Sequence, residues 1–230
     1  MRLGYLLLAG LLVAPSARAA LPTAPRTAVQ LGPGVSLSLP AGFRIVTGPR
    51  ARRILADIGN VPPKDRFALV SPPGADWFIE VAWVEEGYVR DADARTLDAT
   101  ALLAAVRADT ARTNAATAAR GFSPLRVEGW GEQPRYERSR HVLLWSVALR
   151  DDDGAVMNLG ARILGRRGYV RLNLAAAPAD YAVARRAVAR LMDAVAFAPG
   201  AAYDDFHPQA DAVAPYALGA LVAGPAAGGG

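Results

Sequence analysis

The sequence predicts an α+β domain built on a mainly antiparallel β-sheet packed by helices, and three observations carry that prediction. From His141 to Leu174, apolar and polar residues alternate around two turn signals, Asp151-Asp152-Asp153-Gly154 and Gly165-Arg166-Arg167-Gly168. Two stretches of helical period flank this region, Leu97 to Arg120 before it and Pro178 to Val195 after it. The elements follow the order strand–strand–helix–strands–helix–strands–helix.

In chain order, Val35 to Leu39 alternates as a strand that stops at Pro40, and Phe43 to Val46 forms a second. Pro49 to Ile58 is a helix, with proline in its first turn and Gly59 after its end. Phe67 to Ser71 and Trp77 to Glu85 are strands joined by the Pro72-Pro73-Gly74 turn, and Trp77, Ile79, Val81 and Trp83 share one face. The alanine-rich helix from Leu97 ends before Gly121. Leu125 to Trp130 and His141 to Arg150 are strands separated by a polar loop around Pro134.

If Arg166 and Arg167 form the tip of a two-residue hairpin, position 164 faces 169, 162 faces 171 and 160 faces 173. One face then carries Met157, Leu159, Ala161, Ile163, Val170, Leu172 and Leu174, and the other carries Asn158, Arg162, Arg171 and Asn173. A slip of one residue would scramble that separation, so the pattern fixes the pairing. With an odd number of residues in the Asp-rich turn, His141, Leu143, Trp145, Val147 and Leu149 join the apolar face, giving a meander with one buried side. Tyr181, Ala184, Val188, Leu191, Met192 and Val195 line one side of the next helix, which suits it to cover that face. Ala196 to Ala198 adds a last short strand, and Asp211 is placed to cap a helix from Ala212 to about Val222.

The first residues read as an export signal. Met1-Arg2 is a positive start, Leu3 to Val13 is apolar, and Ala17-Arg18-Ala19 supplies small residues for cleavage. The apolar run is shorter than the roughly 20 residues a spanning helix needs. The expected organisation is a signal peptide at 1–19, a flexible lead at 20–30, the α+β domain at 31–199, and a C-terminal segment at 200–230 with a short apolar helix and a Gly-rich tail. The expected location is the periplasm or cell envelope.

Cysteine is absent from the 230 residues, which removes thiol catalysis, iron–sulfur clusters and cysteine-rich zinc sites. An exported domain without disulfides must be held by its core. The net charge of +5 comes almost wholly from arginine, and the arginines are scattered, not grouped into a nucleic-acid-binding stripe. No phosphate-cradling loop and no G-x-S-x-G elbow occur, so neither a cofactor nor a catalytic residue is assigned. Ser139 and His141 lie two apart without the surroundings of a nucleophile.

Several segments together resemble a bacterial family of predicted membrane-anchored exported proteins with a single domain of unknown function. They are Leu39 to Arg44, Gly59 to Pro63, Glu85 to Val89 with Asp91 and Asp93, and Gly129-Trp130 with Pro134 and Tyr136. Further along they are Leu144-Trp145, Arg162 to Gly168, and Tyr203 to Phe206 with Pro208, Asp211 and Tyr216. The resemblance implies an export signal, one extracytoplasmic domain and a hydrophobic C-terminal anchor. It supplies no catalytic residues. Here the segment after Tyr216 is short, interrupted by proline and without a basic stop signal, a departure from that pattern.

The candidate site is the polar face of the meander. Arg162 and Arg171 stand opposite each other, and like charges so placed need something negative between them. That group is either an acidic ligand, with Asn158 and Asn173 adding hydrogen bonds, or a carboxylate of the chain such as Glu80 or Glu128. The acidic stretch at Glu85, Glu86, Asp91 and Asp93 lacks the spacing of a calcium loop, and Asp204, Asp205, His207 and Asp211 form no metal motif, so no metal is expected. The leading reading is a non-enzymatic binding or scaffolding domain whose partner is an envelope protein, an anionic ligand or a lipid headgroup, without nucleic acid and with membrane association open. The alternative is a hydrolase using the acidic and histidine groups near the C-terminal segment.

Overall fold

The computed structural model describes residues 28–58, 60, 67–118 and 123–223. The export signal, most of the lead, Gly59, Gly121 and the Gly-rich tail lie outside them. The strands are β1 (Ala28–Gly32), β2 (Val35–Ser38), β3 (Arg44–Thr47), β4 (Phe67–Ser71), β5 (Ile79–Val84) and β6 (Tyr88–Arg90), followed by β7 (Arg126–Glu137), β8 (Val142–Arg150), β9 (Ala155–Gly165), β10 (Gly168–Ala176), β11 (Val195–Phe197) and β12 (Val213–Ala217). The helices are α1 (Gly48–Asp57), α2 (Ala99–Thr117), α3 (Tyr181–Met192) and α4 (Ala220–Ala223).

The fold is α+β. Its main sheet has the order β3-β4-β5-β10-β9-β8-β7, every pair antiparallel. A three-stranded sheet, β1-β2-β11, and a parallel pair, β6-β12, accompany it. The hairpin at Arg166-Arg167 has the register that its sequence specifies, with Leu164 opposite Tyr169, Arg162 opposite Arg171 and Gly160 opposite Asn173.

The main sheet is buried on both faces, not one. Val81, Leu159, Ala161, Val170, Leu172 and Leu174 look toward α3 and the three-stranded sheet, and Ala184, Val188 and Leu191 of α3 join the same cluster. This is the leucine face. The opposite, arginine face is covered in two parts. Leu55 of α1 packs with Val46, Phe67, Leu69 and Ala82 at one end. Val106 of α2 and Leu218, Leu221 and Val222 of the C-terminal segment pack with Leu143, Trp145, Val147 and Leu149 at the other.

The parity of one turn accounts for this difference from the sequence reading. Arg150 pairs with Ala155, so the turn holds four residues, 151 to 154, an even number. Its shape is set by Asp151, whose Oδ1 accepts from Asp153 N and Gly154 N, both at 2.9 Å. The even count places Val142 and Leu144 on the leucine face and sends Leu143, Trp145, Val147 and Leu149 to the arginine face. The arginine face therefore acquires its own apolar cover.

Further elements depart from expectation, among them β1, which begins at Ala28 inside the stretch read as a flexible lead. The polar loop around Pro134 is part of a twelve-residue strand, β7, which tolerates proline because it lies at the sheet edge. Shifts of register near Gly129, Glu132 and Arg135 kink it, a protection against pairing with another chain. The apolar segment after Asp211 is strand β12 and then the four-residue helix α4, not a helix from Ala212. Pro215 fits a short strand and would cost a helix interior a hydrogen bond. Asp98, which the sequence reading did not single out, caps α2: its Oδ1 accepts from Thr100 N (2.8 Å) and Ala101 N (3.1 Å).

Leu172 is fully buried at the centre of the main sheet, whereas Val183 on α3 is 53% exposed. Urea unfolding is expected to show Leu172→Ala losing about 2–5 kcal/mol. Val183→Ala is expected to stay within about 0.5 kcal/mol of the parent.

Candidate functional site

Between the two apolar covers of the arginine face runs a polar layer drawn from β5, β10 and β9. Glu80 stands opposite Asn173, Ala82 opposite Arg171, and Arg171 opposite Arg162. The fold brings together all four residues singled out from the sequence, Asn158, Arg162, Arg171 and Asn173, and adds Glu80. The layer is not an open surface: Arg162, Asn158 and Asn173 are buried, and Glu80 is only 2% exposed.

Within the layer the two arginines are treated differently. Arg171 donates through Nε (3.1 Å) and Nη2 (2.8 Å) to Glu80 Oε1, an ion pair shielded from water. Of the two carboxylates considered from sequence, Glu80 is thus the partner; Glu128 is paired at the surface with Arg150. Arg162 donates through Nη1 to Ala161 O (2.9 Å), Leu172 O (3.4 Å) and Asn173 Oδ1 (3.0 Å). All three acceptors are neutral. Its Nε is buried and has no acceptor.

The Arg162 guanidinium carbon lies 4.8 Å from the centre of the Trp145 ring and 5.9 Å from that of Tyr169, so cation–π attraction supplies part of what a carboxylate would. Trp145 can lie this close because position 160 is glycine: a Cβ there would stand 2.5 Å from Trp145 Cζ2. Burial, reinforced by the Arg171 charge and opposed by Tyr169 and Glu80, pulls the Arg162 pKa down to about 10. Trp145 is hidden from the sequence because the parity of the Asp151 turn decides which face it occupies, whereas Tyr169 shares its face of β10 with Arg171 and Asn173 and could be read from the hairpin register.

A second constellation lies at the end of the sheet near the 165–168 hairpin. Tyr136 Oη lies 3.1 Å from His141 Nδ1, and His141 Nε2 lies 3.3 Å from the Asp204 carboxylate. Both ring nitrogens of His141 are thus engaged. Its backbone is left-handed, with φ 51°, and its ring packs on Tyr203. Tyr88 stacks between Tyr203 (4.5 Å) and Phe206 (3.8 Å). Burial raises the Tyr136 and Tyr203 phenol pKa values far above the ordinary value, so both stay protonated.

The other acidic groups near the C-terminal segment act as internal ties. Asp211 accepts from Arg166 Nε (2.7 Å) and Nη2 (3.0 Å) and from His207 N (2.7 Å). Asp205 Oδ2 accepts from Ala202 N, and Asp93 accepts from Leu218 N and Gly219 N. Among the described residues, no three of His, Cys, Asp and Glu are grouped so as to hold a metal ion.

A family model described as a protein of unknown function, DUF2167, matches residues 24–229. The chain belongs to the DUF2167 family. No curated protein matches it. Among solved structures, this DUF2167 chain is similar to the solution structure of cyanobacterial PsbP (CyanoP) from Synechocystis sp. PCC 6803. The two share 12% identity with a TM-score of 0.45, over 71% of this chain and 86% of that one. Among the described residues, no helix of the DUF2167 domain is long and apolar enough to cross a membrane.

Two outcomes follow from these ion pairs. Removing the Glu80 charge leaves two buried guanidiniums without a carboxylate, so Glu80→Gln is expected to lose about 3–5 kcal/mol in urea unfolding. Hydrogen bonds from Arg166 and His207 N hold the Asp211 pKa at about 2, below its ordinary 3.8. Because the folded value is the lower one, the stabilisation is complete above 3.8 and lost as pH falls toward 2. Asp211→Asn should therefore melt below the parent near neutrality, and that gap should close across this acid window in melting curves taken by circular dichroism.

Proposed function

We propose that this DUF2167 chain is an exported, non-catalytic domain of the cell envelope that holds a small anionic ligand in its buried polar layer. One observation carries the reading: the layer contains two guanidiniums and one carboxylate, and Arg162 Nε is a buried donor with no acceptor. Burying an uncompensated charge is costly, and an acidic ligand is the partner that a guanidinium edge accepts best. Export is supported by the signal-like residues 1–19.

The residues that a hydrolase near the C-terminal segment would use are occupied otherwise. Asp205 and Asp211 accept backbone and arginine donors. Next to them, His207 donates its backbone N to Asp211.

The test is a thermal-shift and calorimetric titration of the mature chain with acetate and with dimethyl phosphate. Saturable binding is expected in the parent, with loss of about tenfold or more in affinity in Arg162→Gln and Arg171→Gln variants that keep the native circular dichroism spectrum. Arg162→Lys keeps the charge but not the fork, and is expected to bind at intermediate strength. Equal binding in all variants would remove the site. N-terminal sequencing and carbonate washing of the tagged native-length protein test its export; an uncleaved product in the cytosol would overturn that part. Turnover of ester, phosphate or peptide substrates that disappears in His207→Ala or Asp205→Ala would replace binding with hydrolysis.

A further inference from the structure

The ligand's charge follows from the charge count of the layer, an inference that rests on the anion-binding reading above. We infer that the arginine face is built to take one singly charged oxyanion, a carboxylate or a phosphodiester, against the Nε edge of Arg162.

Arg171 shows what a satisfied arginine looks like in this layer: it presents Nε and Nη2 to Glu80 Oε1. Arg162, directly opposite on the neighbouring strand, spends Nη1 on two carbonyls and an amide, and its Nε has no acceptor. No ion pair of Arg162 exists among the described residues. The Nε donor that Glu80 answers for Arg171 thus has no acceptor in Arg162. A planar oxyanion answers it in the same way.

Charge counting fixes the valence. Two guanidiniums against one carboxylate leave a surplus of one positive charge, which a monoanion cancels. A dianion would leave a net negative charge in a layer walled by Trp145 and Tyr169, where water is too scarce to screen it.

Asn173 supplies the decisive variant. Its Oδ1 already lies 3.0 Å from Arg162 Nη1, so Asn173→Asp places a permanent carboxylate there with almost no change of shape. A layer with a standing need for one negative charge gains from it and then rejects the ligand. A layer already balanced loses from it.

The experiment is a fluorescence titration of the intact mature chain in dilute bis-Tris chloride, with acetate, dimethyl phosphate and sulfate as probes. Trp145 is the reporter, and Trp145→Phe confirms the origin of the signal. Acetate or dimethyl phosphate, whichever binds tighter, assigns the ligand to carboxylates or to phosphodiesters such as lipid headgroups. Either is expected to bind more tightly than sulfate. Asn173→Asp is expected to melt at a higher temperature than the parent and to lose about tenfold or more in affinity. An Asp variant that melts lower and titrates like the parent overturns the monoanion inference while anion binding stands. Tighter binding of sulfate overturns the valence alone. No response to any probe, in a folded parent, sinks both this inference and the reading beneath it.

Discussion

Glu80 sits at the middle of a sheet that is covered on both sides, and the polar residues of the arginine face are arranged around that one carboxylate. Covering the face was the dominant gain: α1, α2 and the C-terminal segment remove its leucines and Trp145 from water. The same covering strips water from whatever else points that way. Two arginines and two asparagines do so, because the hairpin register that buries Leu172 also fixes the direction of Arg171 and Asn173. Each must then find its partners inside the protein. Glu80 answers Arg171, and backbone carbonyls, Asn173 and aromatic faces answer Arg162 in part.

How much of this was legible in the sequence depended on whether the deciding signal was local. The hairpin at Arg166-Arg167 could be read residue by residue, because two-fold alternation on both sides admits one register. Helices α1 and α3 were legible from their turns and stripes, and β4 appears with the expected bounds. The side of Trp145 was not, since it hangs on whether an Asp-rich turn holds three residues or four, and the Asp151 side chain settles that only in the folded state. Strand β7 was obscured by Pro134, a residue that argues against a central strand and says nothing against an edge one. The candidate arginines were found because both fall on the polar side of an alternating pair. Their burial was not foreseen, for it depends on helices distant in sequence.

The C-terminal segment shows a different route from sequence to structure. Several short segments on which the family resemblance rests lie far apart along the chain and meet in one corner. Tyr88 stacks on Tyr203 and Phe206, Tyr203 donates to Val89 O, Asp93 holds the backbone at Leu218 and Gly219, Tyr216 donates to Glu86, and Arg166 clasps Asp211. Gly87 belongs to the same knot: its φ is 89°, and a Cβ there would press on Ala212 O. These residues fasten a strap that lays Ala214, Leu218 and Leu221 over the arginine face. Their chemistry is that of closure, and it explains why acidic residues that looked like ligands in the sequence are engaged within the chain.

A buried charged layer is a poor device for stability alone, since apolar residues of similar volume often serve as well or better. It does serve register: a slip of one residue would drive Arg162 and Arg171 into the leucine core, so their presence penalises the wrong pairing. That argument accounts fully for Arg171, which carries its counter-ion with it. It does not account for Arg162, because a neutral polar residue there would penalise the same slip without burying an unanswered charge. The Arg162 guanidinium, held beside Trp145 by the absence of a side chain at Gly160, carries a charge that register alone does not require. What folding does not require is where binding is sought.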